Sequence, residues 1–304
     1  MTIQQLQYVL EIAKTGSISQ ASRNLFLSQP NISGALKGLE RELGIEIFLR
    51  TNTGMVPTPQ GAKLIRRASG VLSELDALLT ETTGQQVSRF TMNAANCIPA
   101  LEAFEVLCQR YADRPSVQLT CFSEPKKNII ELVSMGVYDL CILFSGGSMD
   151  LNHICKQHRL QYIQMLESPT CVHLAKGHPL AAPGRFDPQK LRSYPFVDYI
   201  TSEDVTILDT PMRRYINPER IIRVQSITSR REIVAHTNAF SIVIPHSRAY
   251  NDHYGLVNRP LPDTLTRVSC FYSKANAHHP VLREYLAIFG TMMEQIQADF
   301  QSEQ

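Results

Sequence analysis

Three side chains spaced four apart, Gln29, Ser33 and Lys37, offer the clearest chemistry in this 304-residue chain. Glutamine and serine can hydrogen-bond base edges, and lysine neutralises a phosphate. A spacing of four aligns the three on one face of a helix, so a helix must be there to position them. The neighbouring residues predict one. Ser28 is a favourable N-cap, able to accept an orphan amide hydrogen of the first turn. Pro30 sits in that turn, where its missing N–H is not needed and its fixed φ suits a helix. Ile32, Leu36, Leu39 and Leu43 recur at helical spacing and predict a buried stripe on the other side. Gly44 stands where a left-handed C-cap is expected. Such a helix buries one side and shows a short polar side ending in a cation, which suits a DNA groove.

Sharper chemistry finds less support. His153, Cys155 and His158 form His-x-Cys-x₂-His, but no fourth ligand follows at a metal-binding spacing, so solvated loop residues are the plainer reading. Cys97, expected at a helix N-terminus, could be acidified there and sense oxidants. Its plainer reading is a small buried or cleft-lining residue. Gly146-Gly147 is a turn without the glycine spacing of a dinucleotide loop. No nucleophile, base and acid group by spacing, so no enzymatic activity, metal or cofactor is expected.

Composition narrows the class. Apolar residues make up 43% and charged residues 19%, the balance of a globular protein with room for more than one core. Net charge is only +2, but residues 1–70 hold eight cations against four acids, a local basic excess that suits phosphate. Seven cysteines without paired spacing argue against a disulfide framework. No signal peptide or membrane-spanning run is read in the sequence, so a cytoplasmic location with reduced thiols is expected.

The elements around the central helix follow in order. Ile3–Lys14 reads as an amphipathic helix, and Thr15-Gly16-Ser17 stops it and caps the next, about Ile18–Leu25. Phe26-Leu27 makes a tight turn into Ser28. Two short helices of which the second exposes a polar face form a helix-turn-helix. Ile45–Arg50 and Met55–Pro57 flank the polar tip Thr51-Asn52-Thr53-Gly54, a hairpin that reads as a wing, with Arg50 leading into the tip. Thr58-Pro59 then starts a long helix to about Thr83, closed by Gly84. Its residues Ile65, Ala68, Leu72, Leu75 and Leu79 step 3, 4, 3, 4, a seam that predicts homodimerisation; packing onto its own chain is the alternative.

Taken together, residues 8–61 resemble the DNA-binding domain of LysR-type transcriptional regulators. The resemblance is carried by Gly16-Ser17, Ala21, Leu25, Ser28-Gln29-Pro30, Ser33, Leu39-Glu40, Leu43-Gly44, Phe48, Arg50, Thr58-Pro59 and Gly61. It implies a DNA-binding set of Gln29, Pro30, Asn31, Ser33, Lys37, Arg50 and Thr58. Gly34 and Ala35 depart from the longer side chains the family often has there, which shifts weight onto phosphate contacts and DNA shape. A weaker likeness continues to the C-terminus, with Gly136-Val137-Tyr138-Asp139-Leu140 and His178-Pro179-Leu180-Ala181 as signatures.

From Arg89 short strands alternate with helices, the texture of an α/β domain. Strands are expected near 90–93, 117–122, 139–144, 162–166, 171–174, 196–199, 221–224, 241–244 and 266–273, with helices near 98–111, 126–135, 229–237 and 281–298. The predicted organisation is an all-α winged helix-turn-helix domain over 1–58, a linker and dimerisation helix over 59–88, and an effector domain over 89–304. By resemblance that effector domain has two α/β lobes, like periplasmic binding proteins, lobe I about 89–161 and 266–304 and lobe II about 162–265. A cleft between such lobes gathers strand ends and helix N-termini, whose amides suit an anion. The residues expected there are Asn93, Asn96, Cys97, Ser123, Ser145, Thr201, Ser202, Gln225, Ser226 and Thr228, suited to a small organic anion; capping of turns and helices is their alternative role. Asn238 is expected to cap a helix in the left-handed conformation, with Phe240 narrowing the cleft.

Two functions from different classes remain in view. One is an effector-controlled regulator that binds double-stranded DNA as a dimer, and by resemblance as a tetramer. The other is a small-molecule binding protein whose N-terminal domain serves assembly. The polar face of the central helix and Arg50 favour the first.

Overall fold

The computed structural model describes residues 1–52, 54–83, 88–114, 117–123, 128–146, 149–182, 186–200 and 210–302. The chain opens with α1 (Ile3–Thr15), α2 (Ile18–Asn24) and α3 (Gln29–Leu43), then the hairpin β1 (Phe48–Thr51) and β2 (Gly54–Pro57). Ser28 caps α3, its Oγ accepting from the Asn31 amide, and Gly44 ends it at φ 65°. Ile32, Leu36 and Leu39 are buried against Val9, Ile12 and Ala21 of the first two helices. Leu43 does not complete the buried stripe: it is 36% exposed, since the last turn of α3 projects beyond its neighbours. The wing is also tighter than expected. Arg50 pairs with Met55 and Thr51 with Gly54, so the strands run to within two residues of each other.

Helix α4 (Pro59–Thr83) leaves this domain at a close contact. A Cβ on Gly61 would stand 1.9 Å from the Ile47 carbonyl oxygen, so only glycine lets the first turn of α4 touch the start of the wing. The expected dimer seam is corrected over its first half. Ile65, Ala68 and Leu72 are buried within the chain, the last two against Leu6 of α1. Among the described residues, the large exposed apolar residues of α4 are Leu79 of the seam and, beside it, Val71 and Leu78. Gly84 lies outside the described residues.

The rest of the chain builds two lobes. Lobe I is a five-stranded sheet in the order β4-β3-β5-β12-β6, from β3 (Ser88–Asn93), β4 (Val117–Phe122), β5 (Leu140–Ser145), β6 (Leu160–Ser168) and β12 (Thr266–Ser273). Helices α5 (Ile98–Tyr111) and α10 (Pro280–Ser302) pack together over one part of it. Helix α6 (Ile129–Ser134) and α7 (Leu151–His158) lie on the other part. Strand β6 was expected to open lobe II; it pairs antiparallel with β12 along its whole length, so residues 160–168 belong to lobe I. A periodicity argument could not place it, because sheet membership depends on a partner some hundred residues away.

Lobe II contains β7 (Cys171–Ala175) between β10 (Ser241–Val243) and β11 (Leu256–Pro260), and the parallel pair β8 (Phe196–Tyr199) and β9 (Ile221–Val224). A bridge from Phe196 to Phe240 joins the two sheets. Helix α8 (Ile227–His236) covers them, and α9 (Arg248–Tyr254) precedes β11; neither α9 nor β11 is evident in the sequence pattern. Phe240 is fully buried in the lobe II core and does not narrow the cleft, and Asn238 is not in the left-handed conformation. The chain crosses between lobes twice, and the crossings are tied together: the Thr170 amide donates to Thr264 Oγ1 at 3.0 Å, and the Leu261 amide to the Thr170 carbonyl at 2.8 Å.

The winged domain sits against lobe I. Its core is continuous with Ile129, Val133 and Tyr138 of the effector half. Tyr138 Oη donates to the Lys14 carbonyl at 3.3 Å, and Ser69 Oγ to the Gly136 carbonyl at 2.8 Å.

Candidate nucleic-acid interface and ligand cleft

The face of α3 opposite its buried stripe carries Gln29, Pro30, Asn31 and Lys37, all exposed, with Ser33 half-buried among them. Gln29 Oε1 accepts from Ser19 Oγ of α2 at 3.0 Å, which orients the amide before any contact with a base. Arg50 is exposed on the wing. Arg23 of α2 and Arg41 of α3 are exposed as well, adding cations of the kind that phosphate contacts require. Thr58 does not join them. It is buried, its hydroxyl donates to the Glu46 carbonyl at 2.6 Å and accepts from the Gly61 amide at 2.8 Å, so it caps α4 and ties it to the wing. The sequence pattern also missed the state of Phe26. It is 96% exposed at φ 55°, the last turn residue before the cap of α3.

A cavity of about 690 Å³ opens between the lobes. Lobe I supplies the loop from Ala95 to Ile98 and the end of β5, Phe144 to Gly146. Lobe II supplies β8, the end of β10, Arg230 and His246, and the crossing segments supply Thr170 and Thr266. The lobe I loop is strained: Ala95 and Asn96 hold φ of 46° and 59°, consecutive left-handed residues that are not glycine. Such outliers concentrate at ligand sites, where the surrounding structure over-determines them. Here the Asn96 amide is pinned to the Ser123 carbonyl at 2.6 Å. Both side-chain atoms of Asn96, Ser145 Oγ and His246 Nδ1 are buried without a hydrogen-bond partner among the described residues.

Electrostatics divide the cleft. His246 packs on His173 with ring centroids 4.4 Å apart. Burial pushes His173 down to about 3, with Arg230 adding to the effect and its bond to Asn258 opposing it. His246 is held well below the usual histidine range by burial, then by His173 and Arg230. Both rings are therefore neutral near pH 7. Arg230 is lowered by burial, against which, among the described residues, the phenols of Tyr250 and Tyr199 act. Cys97 lines the cavity, but burial pushes its thiol up to about 12. A thiol held protonated is a poor nucleophile, which removes the physical basis for an oxidant-sensing role.

Of the residues expected in the cleft, Asn96, Cys97 and Ser145 line it. Asn93, Ser123, Gln225, Ser226 and Thr228 do not. Asn93 Oδ1 accepts the Ala95 amide at 3.0 Å and closes the turn after β3. Ser123 is exposed and offers its carbonyl to Asn96. Ser226 caps α8 through the Ser229 amide, and Gln225 and Thr228 are exposed beside it. The capping alternative holds for Asn93 and Ser226. Thr201 and Ser202 lie outside the described residues. Arg230 and His246 were missed; an arginine one turn inside a helix that starts at a strand end was the available signal for the first. His153, Cys155 and His158 are not loop residues but lie on α7, capped by Asp150. Offsets of two and five turn them by roughly 200° and 140° around the helix, so the three do not converge.

Comparison with known proteins agrees with this architecture. The family described as bacterial regulatory helix-turn-helix protein, lysR family, matches residues 3–62, and the LysR substrate binding domain matches residues 85–294. A probable nitrogen assimilation transcriptional activator of Synechococcus elongatus is 31% identical over 185 residues, 60% of this chain and 58% of that protein. Regulatory protein NocR of Agrobacterium tumefaciens is 29% identical over 47% of this chain and 49% of its own length. The chain thus spans about half the length of these relatives, while TdcA of Escherichia coli, 24% identical, is matched over 80% of this chain and 76% of its own. In fold, a full-length OxyR variant from Pseudomonas aeruginosa superposes with a TM-score of 0.56 at 18% identity, covering 97% of this chain and 95% of that one. CbnR, a LysR family transcriptional regulator, gives 0.53 at 15% identity, covering 96% and 99%. With both matched domains in the expected order and together spanning most of its length, the chain belongs to the LysR family of bacterial helix-turn-helix transcriptional regulators.

Proposed function

We propose that this protein binds operator DNA as a homodimer and changes its grip on that DNA when a small organic anion enters the cleft. The observation that carries the reading is α3, which buries Ile32, Leu36 and Leu39 and exposes Gln29, Asn31 and Lys37. Gln29, Asn31 and Ser33 read base edges, while Lys37 and Arg50 hold phosphates. Dimerisation through the exposed side of α4, at Val71, Leu78 and Leu79, places two α3 helices about 34 Å apart, in successive major grooves of an inverted repeat. Two dimers then assemble as a tetramer. The protein acts in the cytoplasm, catalyses no reaction and needs no cofactor.

The tied crossings near Thr170 and Thr264 are the natural hinge for the two lobes. An effector shifts the protein only by binding one lobe arrangement better than the other. Electrophoretic shift of the upstream intergenic DNA tests the reading. Wild type is expected to form a complex resistant to competitor DNA, and Gln29→Ala and Lys37→Ala to weaken it. Absence of any specific complex at low salt would overturn it.

A further inference from the structure

The cleft contains a cation that no described carboxylate compensates. Arg230 lies on α8, one turn past the cap Ser226, and lines the cavity. No carboxylate among the described residues supports its charge; its favourable neighbours are the phenols of Tyr199 and Tyr250. A guanidinium so placed calls for an oxyanion, which it can hold through two parallel N–H bonds. The paired rings of His173 and His246 are uncharged and do not compete for that role.

Across the cavity the lobe I wall offers hydrogen bonds rather than charge. Ser145, 5% exposed, and Asn96 present polar atoms that no described residue satisfies. His246 Nδ1, on the lobe II side, is likewise without a partner. Buried polar groups in native proteins are otherwise paired, so four unpaired atoms on residues lining one cavity point to a ligand. The lining also includes the apolar residues Phe144, Val197, Ile242 and Ile244. A volume of about 690 Å³ suits a small organic molecule. Asp263 also lies in the wall, as does Asp198, which has partners of its own. Their negative charge disfavours a phosphomonoester, which carries close to two charges at pH 7, over a singly charged carboxylate.

We propose that the ligand is an amphipathic monocarboxylate that spans the cleft, its carboxylate on Arg230 and a hydrogen-bonding group at its far end on Asn96 and Ser145. The proposal rests on reading the cleft as the effector site and names the chemistry of what enters it. Because the two ends engage different lobes, such a ligand favours one lobe arrangement over others.

Isothermal titration of the full-length protein at pH 7.5 tests this with 4-hydroxyphenylacetate, indole-3-acetate and octanoate, each beside its uncharged amide, and with phenyl phosphate. At least one carboxylate is expected to bind about tenfold or more tightly than its amide, the scale of a charge-assisted hydrogen bond. Arg230→Gln is expected to erase that preference and Arg230→Lys to keep part of it. Amides that bind wild type as well as their carboxylates, tighter binding of phenyl phosphate, an unchanged preference in Arg230→Gln, or no binding by any probe would each overturn the proposal. The same probes added to the DNA shift separate the two readings. A complex that responds only to neutral probes removes the role of Arg230 and keeps the effector cleft. A carboxylate bound through Arg230 with no change in the DNA complex does the reverse.

Discussion

Lys37 and Gln29 share one face of α3 but should fail differently when altered. Lys37 is an exposed point charge, so Lys37→Ala is expected to weaken all DNA about equally and to lower the slope of log affinity against log salt by about 1. Gln29 is held by Ser19 and is proposed to read a base edge, so Gln29→Ala is expected to cost about 1–3 kcal/mol on the operator and little on random DNA. Fluorescence anisotropy on both DNAs at several salt concentrations separates the two. Behind the cleft, His173 is neutral in the fold because burial holds it near 3, whereas in the unfolded chain it titrates at its ordinary value. Below pH 6.5 the unfolded chain therefore takes up a proton that the native protein refuses. This part of the stability is complete above that pH and falls by about 1.4 kcal/mol per unit as pH drops toward 3. His246 acts in the same direction. Urea midpoints from pH 7.5 to 5 are expected to fall, and His173→Gln to flatten the slope. Of these residues, Gln29 and Lys37 were legible in the sequence because a helix period fixes which side chains share a face. The histidine pair was not, because β7 and the segment after β10 bring it together across more than seventy positions.

Helix α4 shows how an element can satisfy a pattern in two ways. Its 3, 4 stepping predicted a contact with a second chain, yet Ile65, Ala68 and Leu72 spend that pattern on the chain's own winged domain. Val71 and Leu78, seven apart on the exposed side, carry the interface proposed here. Leu78→Arg is expected to yield monomers at micromolar concentration in sedimentation equilibrium, with affinity for an inverted repeat falling toward that for a single half-site. An unchanged mass would place the interface elsewhere. At the other end of α4, Gly61→Ala drives a methyl into the Ile47 carbonyl. A cost of about 3 kcal/mol is expected, at the upper end of overpacking, read as a lower urea midpoint with loss of DNA binding.

At the scale of the whole molecule, the winged domain and lobe I share one continuous core, joined by the Tyr138–Lys14 and Ser69–Gly136 bonds. A change in the effector half can therefore reach α1, and through it α3, without passing along the whole linker. Tyr138→Phe removes one bond at this seam and is expected to lower stability by about 1 kcal/mol in urea unfolding, with hydrogen exchange rising at the end of α1. Asp139, in the signature beside that seam, accepts from the Thr91 amide and from Asn276 Nδ2, so it acts in folding rather than in binding a ligand. The sequence by itself determined the family, the winged helix-turn-helix and the position of most strands and helices, α7, α9 and β11 excepted, because caps, turn residues and periodicity are local. Tertiary structure alone decided that β6 belongs to lobe I, that α4 spends half its seam at home, that Thr58 is buried and caps α4, and that Arg230, Asn96 and Ser145 line one cavity. Each of those outcomes depends on which distant segments meet, and burial, pairing and charge compensation are properties of the meeting, not of either segment.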